Sequence, residues 1–196
     1  MLSSPFITAL VFLINTVFGI YILLIMLRFL LQLLQVGFRN DPMLRLLLRL
    51  TNHPLQLLYN FIPGWRDIDF AAIVLMLALK MLELSLIAWL YGQSLSIIGL
   101  FLLSLANLLS LMIYIFIFAI IIQVILSWIT SHDNYNPLSN ILFHLNEPIL
   151  RPVRRKIPPL QGIDLSPLVV IIVLQLADIL LVGVLRQLAQ SRFLVG

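Results

Sequence analysis

The sequence predicts an all-α integral membrane protein, with four transmembrane helices built as two parallel repeats of helix, amphipathic connector and helix. Three observations carry this. Of the 196 residues, 62% are hydrophobic and only 10% charged, whereas a soluble domain usually carries about a quarter charged residues. Four stretches, near 6–34, 68–90, 97–129 and 165–185, match or exceed the roughly 20 residues a helix needs to cross the hydrocarbon core. The chain also repeats itself at an offset of about 95 residues. The apolar stretches do not alternate with polar residues, as strands of a membrane barrel would, so they are read as helices.

The first repeat is placed at 1–94. Its opening stretch lacks the Lys/Arg-rich start and small-residue cleavage site of a secretory signal, and no Arg- and Ser-rich transit sequence precedes it. It is therefore expected to be a retained spanning helix of a bacterial protein. In the connector, about 35–67, polar residues recur every three or four positions at Arg45, Arg49, Asn52, Gln56 and Asn60, with Leu, Phe and Ile between them. That pattern fits a helix lying in the membrane interface. Pro54 is expected to break it in two, because proline removes a backbone donor and clashes with the preceding turn. Asp69 then stands at the mouth of the second span, where a carboxylate accepts from unpaired first-turn N–H groups.

The second repeat, 95–196, follows the same order. The runs at 6–34 and 97–129 are longer than a minimal span, and tilt absorbs the excess. The connector, about 130–164, carries its polar stripe at Asn140, His144, Glu147, Arg151 and Arg155. Pro148 is expected to break it, Pro158 and Pro159 to end it, and Asp164 to cap the last span, with Pro167 tolerated in the first turn. Pro42 matches Pro137, His53-Pro54 matches Glu147-Pro148 with one residue of slip, Ile62-Pro63 matches Ile157-Pro158, Ile68-Asp69 matches Ile163-Asp164, and Glu83 matches Asp178.

Two crossings per repeat return the chain to its starting side, so both connectors face one compartment. They hold Arg39, Arg45, Arg49, Arg66, Arg151, Arg154, Arg155 and Lys156; the opposite face holds only Arg186 and Arg192. The positive-inside rule places the connectors in the cytoplasm and both termini in the periplasm of a bacterial inner membrane. Arg45, Arg49, Arg151, Arg154, Arg155 and Lys156 are expected to anchor the connectors to anionic headgroups. The net charge of +4 thus reports topology and lipid contact. No basic domain or stacking platform points to nucleic acid.

Ionisable groups within spans are costly and invite functional hypotheses. The sequence has Arg28, Lys80, Glu83 and Asp178, and the repeat pairs Arg28 with Gln123 and Lys80 with Gln175. At about 1.5 Å per residue, Lys80 lies about 18 Å from the cytoplasmic mouth, and Glu83 and Asp178 about 22 Å. Lys80 and Glu83 share a helix face, and Asp178 is expected to approach Lys80 from the fourth helix. One reading is a neutral polar contact between the repeats; the other is an ion or proton path along Glu83 and Asp178. Arg28, nearer the cytoplasmic boundary, is expected to snorkel.

Other chemistry has little support. The chain has no cysteine and three histidines, His53, His132 and His144, all in the connectors. His144 and Glu147 offer too few ligands for a metal or haem, and no HExxH, Walker loop or GxSxG is present. Neither enzyme activity nor a cofactor is expected.

The stretch NPLSNILFHLNEPILRPVRRKIPPLQGIDLSPLVV, preceded by ILSWI, resembles the signature of the YggT family, small integral membrane proteins of bacteria and plastids. The resemblance rests on Trp128, Asn136-Pro137, Glu147-Pro148, Pro152, Arg154-Arg155, Ile157-Pro158, Gly162, Asp164 and Ser166-Pro167. The first repeat is a weaker copy: it keeps Pro42, Pro54, Pro63 and Asp69, but has Leu33 for the tryptophan and lacks the Arg-Arg pair and the Ser-Pro. The resemblance implies, for bacterial relatives, tolerance of osmotic stress and potassium limitation or envelope and division organisation. For plastid relatives it implies cofactor attachment and thylakoid or nucleoid organisation. The function expected is envelope organisation or osmotic-stress tolerance through anionic lipids, with other envelope proteins or further copies of the chain as partners. A small potassium- or proton-linked channel or transporter is the alternative, and an accessory factor for cofactor or haem assembly the second.

Overall fold

The apolar runs fold as long helices whose outward side chains are greasy. The computed structural model describes residues 5–34, 42–59, 69–93, 96–129, 137–157 and 164–191. Arg39, Pro63, Arg66, His132, Pro158, Pro159, Gly162 and Arg192 lie outside these residues. The elements are α1 (Pro5–Leu33), α2 (Pro42–Tyr59), α3 (Phe70–Leu90), α4 (Ile97–Ile129), α5 (Pro137–Arg154), α6 (Ser166–Ala177) and α7 (Gly183–Ser191). A five-residue π segment, Asp178–Val182, joins α6 to α7. Among the described residues four helices are long and apolar enough to cross a membrane: α1, α3, α4 and the composite helix Ser166–Ala189. The protein is a multi-pass, all-helical membrane protein.

The spans expose Phe6, Phe12, Trp89, Phe118, Ile179 and many other large apolar side chains. In water such a surface would drive aggregation; in a bilayer it is the solvent-facing side. α4 is the hub, packing against α3 and α1 on one side and against α5, α6, the π segment and α7 on the other. The main core runs between α1, α2, α3 and α4 around Ile22, Ile25, Leu30, Leu55 and Met76, and takes in Leu142 and Leu145 of α5. Two smaller clusters join α4 to the last span and to α5.

The expectation that proline splits each connector is not met. Pro54 lies inside α2, and Pro148 and Pro152 lie inside α5. An interior proline costs about 3 kcal/mol, yet each helix is pinned on both sides of it. Thr51 and Leu55 are buried in α2, as are Asn146 and Leu150 in α5. Packing on both sides keeps the helix continuous through a position that local propensity would break.

Candidate functional site

The polar residues gather at the ends of the connectors and at mid-span. In the first repeat Arg28 does not snorkel. It is only 5% exposed and donates from Nη1 to Thr51 Oγ1 (3.0 Å) and Asn52 Oδ1 (2.7 Å), and from Nη2 to Tyr59 Oη (3.2 Å). Tyr59 donates to Asp69 Oδ2 at 2.5 Å, and Asp69 Oδ1 accepts the Ala72 N–H at 3.1 Å, at the head of α3. Burial, then the hydrogen bond to Asp69, pushes the Tyr59 pKa up to about 12 against the opposing pull of Arg28. The phenol therefore stays protonated and serves as donor. This latch ties α1, α2 and α3 together: planar Arg28 supplies a fork no amine could match, and Asp69 answers its charge through Tyr59.

The second repeat builds its latch from the same positions with different chemistry. Adding 95 turns Arg28 into Gln123, Thr51 into Asn146, Asn52 into Glu147, Tyr59 into Arg154 and Asp69 into Asp164. Asn146 Nδ2 donates to Gln123 Oε1 at 2.7 Å, linking α5 to α4. Arg154 Nε reaches Asp164 Oδ2 at 2.9 Å and Nη1 reaches Glu147 Oε2 at 3.0 Å. Asp164 Oδ1 accepts the Ser166 N–H at 2.9 Å, two residues on rather than three as for Asp69. Burial works to raise the Asp164 pKa, but hydrogen bonding from Ser166 and from the Arg154 cation outweighs it and holds the carboxyl below its usual value. The cation has moved from the span to the connector, and the carboxylate it serves keeps its place.

At mid-span the charges divide differently from the sequence expectation. Lys80 Nζ contacts both Glu83 oxygens, at 2.8 and 2.9 Å, with Glu83 only 2% exposed. Asp178 does not join them. Its Oδ1 accepts from Ser110 Oγ at 2.6 Å, and that hydroxyl in turn accepts from Arg186 Nη2 at 3.2 Å. In an unbroken α-helix, residues eight apart are about 80° out of register. The wider π turn between Asp178 and Arg186 takes up the difference and brings both to Ser110. Arg186, counted from sequence as a periplasmic cation, thus reaches back into the span. A cavity of about 350 Å³ lies between the repeats, with Lys80, Asn107, Ser110, Tyr114 and Arg186 in its wall and Gly19 opposite.

Arg45, Arg49, Arg151, Arg155 and Lys156 are exposed, whereas Arg154 is half-buried in its latch. Gln175 is half-buried in α6. Among the described residues no three His, Cys, Asp or Glu side chains come together as a metal site. Thr51, Tyr59, Asn146 and Ser110 are latch or mid-span residues that the sequence pattern did not single out, and Arg186 was counted only as a cation of the opposite face. The 95-residue offset held a signal for the first three, because Thr51 aligns with Asn146, and Tyr59 with Arg154, all polar or aromatic residues.

The family described as CCB3/YggT matches residues 7–90 and 102–185, one match per repeat. The chain is 36% identical over 178 residues to an uncharacterized protein of Pseudomonas aeruginosa, covering 90% of this chain and 89% of that one. It is 34% identical over 173 residues to an uncharacterized protein encoded in the proC 3′ region of Vibrio alginolyticus, covering 87% and 91%. It is 27% identical over 186 residues to the uncharacterized protein YggT of Escherichia coli, covering 90% and 91%. No solved structure was found to match the chain.

Proposed function

The chain belongs to the CCB3/YggT family, and from that premise we propose that it is a non-enzymatic inner-membrane organiser that grips the cytoplasmic leaflet and supports the envelope under osmotic stress. The observation that carries this reading is the division of labour among the connector cations. Arg154 is held in its latch, leaving Arg45 and Arg49 exposed on α2, Arg151 on α5, and Arg155 and Lys156 in the turn that follows it. A rigid latch sets each connector helix across the ends of its spans, so the exposed cations form a fixed array rather than a loose basic tail. Each cation near an anionic surface contributes about 1 kcal/mol.

Changing these five cations to glutamine, with both latches intact, is expected to abolish the preference of the reconstituted protein for vesicles containing phosphatidylglycerol over phosphatidylcholine alone. An unchanged preference would sink the reading. Its orientation places both termini in the periplasm. Reporter tags at Gly196 and beside His132 are expected on opposite sides of the membrane, and a cytoplasmic Gly196 tag would overturn that orientation.

A second reading, passage of a small solute, is favoured by the mid-span cavity. Sites of membrane carriers lie near the midplane where repeats meet, and Lys80, Ser110 and Arg186 stand at such a place. Against it, the charges there already have protein partners, as a structural contact requires.

A further inference from the structure

The second latch borders a cavity of about 400 Å³ between α4, α5 and α6, and we propose that it is a specific site for one anionic glycerophospholipid of the cytoplasmic leaflet. This rests on the reading that the connectors lie at the cytoplasmic membrane surface, and it adds a defined pocket to the general attraction of the exposed cations.

The cavity has the two-part wall that a phospholipid needs. Ile120, Val124 and Leu150 line it with apolar surface, and Gln123, Arg154 and Asp164 bring polar groups to the same space. Arg154 is the recognising group. Nε is fixed on Asp164 and Nη1 on Glu147, so two carboxylates orient the guanidinium plane. Nη2 has no protein acceptor among the described residues. A phosphodiester oxygen is the matching acceptor, because guanidinium and phosphate meet in a planar, charge-assisted geometry. Trp128 stands at the rim, 81% exposed, as an indole does at headgroup level.

Charge selects the headgroup class. The segment 147–164 carries Arg151, Arg154, Arg155 and Lys156 against Glu147 and Asp164, a balance of +2 by formal charge, with Arg154 in the cavity wall and the other three exposed beside it. A singly anionic headgroup is favoured over a zwitterionic one. A free phosphate would use Arg154 but leave the apolar wall empty, which commits the site to a lipid. Among the described residues the first latch lacks these elements: Tyr59 occupies the Arg154 position and bonds directly to Arg28 and Asp69, and Leu33 replaces Trp128. One lipid per chain follows.

The test uses the full chain in phosphatidylcholine nanodiscs, with Trp65→Phe and Trp89→Phe so that Trp128 alone reports. Phosphatidylglycerol brominated on the acyl chain near the headgroup is titrated in, with brominated phosphatidylcholine as control. Saturable quenching at one lipid per chain is expected, at a mole fraction at least fivefold lower for phosphatidylglycerol. Arg154→Gln is expected to erase that preference. Val124→Phe, which fills the cavity and leaves the Arg154 ion pairs in place, is expected to erase the saturable quenching, with circular dichroism confirming retained helix in both variants. Equal quenching by the two lipids, or quenching indifferent to Val124→Phe, would overturn the site in favour of ordinary annular lipid. Reversal of quenching by millimolar inorganic phosphate would overturn it in favour of a free-anion site. Neutralising only Arg45 and Arg49, which lie on α2 and not in the cavity wall, separates the two claims. If that variant weakens bulk vesicle preference yet keeps saturable quenching, both stand. If wild-type protein shows saturable quenching but no bulk preference, only the organiser reading fails.

Discussion

Replacing Arg28 with glutamine is expected to destabilise the folded protein by about 3–5 kcal/mol, the usual cost of removing one partner from a buried charged cluster. Arg28 is the cation that answers Asp69, and both are buried. Without it, Asp69 keeps Tyr59 and the Ala72 N–H as donors but loses the charge behind them. Thr51 and Asn52 each lose the donor Arg28 supplied. Arg28→Lys is expected to fall between, since an ammonium cannot span Thr51, Asn52 and Tyr59 together. The decisive comparison uses the second repeat as a template. Arg28→Gln combined with Thr51→Asn, Asn52→Glu and Tyr59→Arg installs the Gln123, Asn146, Glu147 and Arg154 arrangement at the matching positions. Reversible unfolding in mixed micelles is expected to show the quadruple variant recovering more than half of the loss. A quadruple variant no more stable than Arg28→Gln alone would show that the two latches are not interchangeable solutions to one problem.

Lys80→Met is expected to cost about 3 kcal/mol, because it leaves Glu83 without its cation in a low-dielectric site. Replacing Lys80 and Glu83 together with methionine is expected to return stability to within about 1 kcal/mol of the parent, since removing a buried pair whole costs far less than breaking it. Asp178 belongs outside this set, because Ser110 and Arg186 provide for it separately. Growth under osmotic stress then decides between the two functional readings. If the pair is structural, the double variant supports growth as the parent does. A stable, correctly inserted double variant that fails under stress would promote solute passage through the mid-span cavity.

Several features were legible in the sequence because they depend on local physics. Length and apolarity decide that a segment crosses a membrane, so the four spans could be read directly. A fixed offset betrays a repeat, and the matching acids Asp69 and Asp164 mark the start of each second span. The proline breaks misled because propensity is a local quantity, whereas buried Thr51 with Leu55, and Asn146 with Leu150, pack α2 and α5 on both sides of the proline and the helices continue unbroken.

The partnerships among the charges belong to tertiary structure alone. Depth counting put Lys80, Glu83 and Asp178 at similar levels, but depth fixes only one of three coordinates. Helix rotation gave Glu83 to Lys80, and the π turn gave Asp178 and Arg186 to Ser110. The sequence likewise could not reveal that Tyr59 and Arg154 do one job from the same position, one by relaying a hydrogen bond and the other by carrying the charge. The sequence by itself determined where the chain enters the membrane, because burial in lipid responds to the sum of many side chains. Only the packed structure decided which polar groups meet and which cavity stays open beside them, because a hydrogen bond requires placement within a few tenths of an ångström.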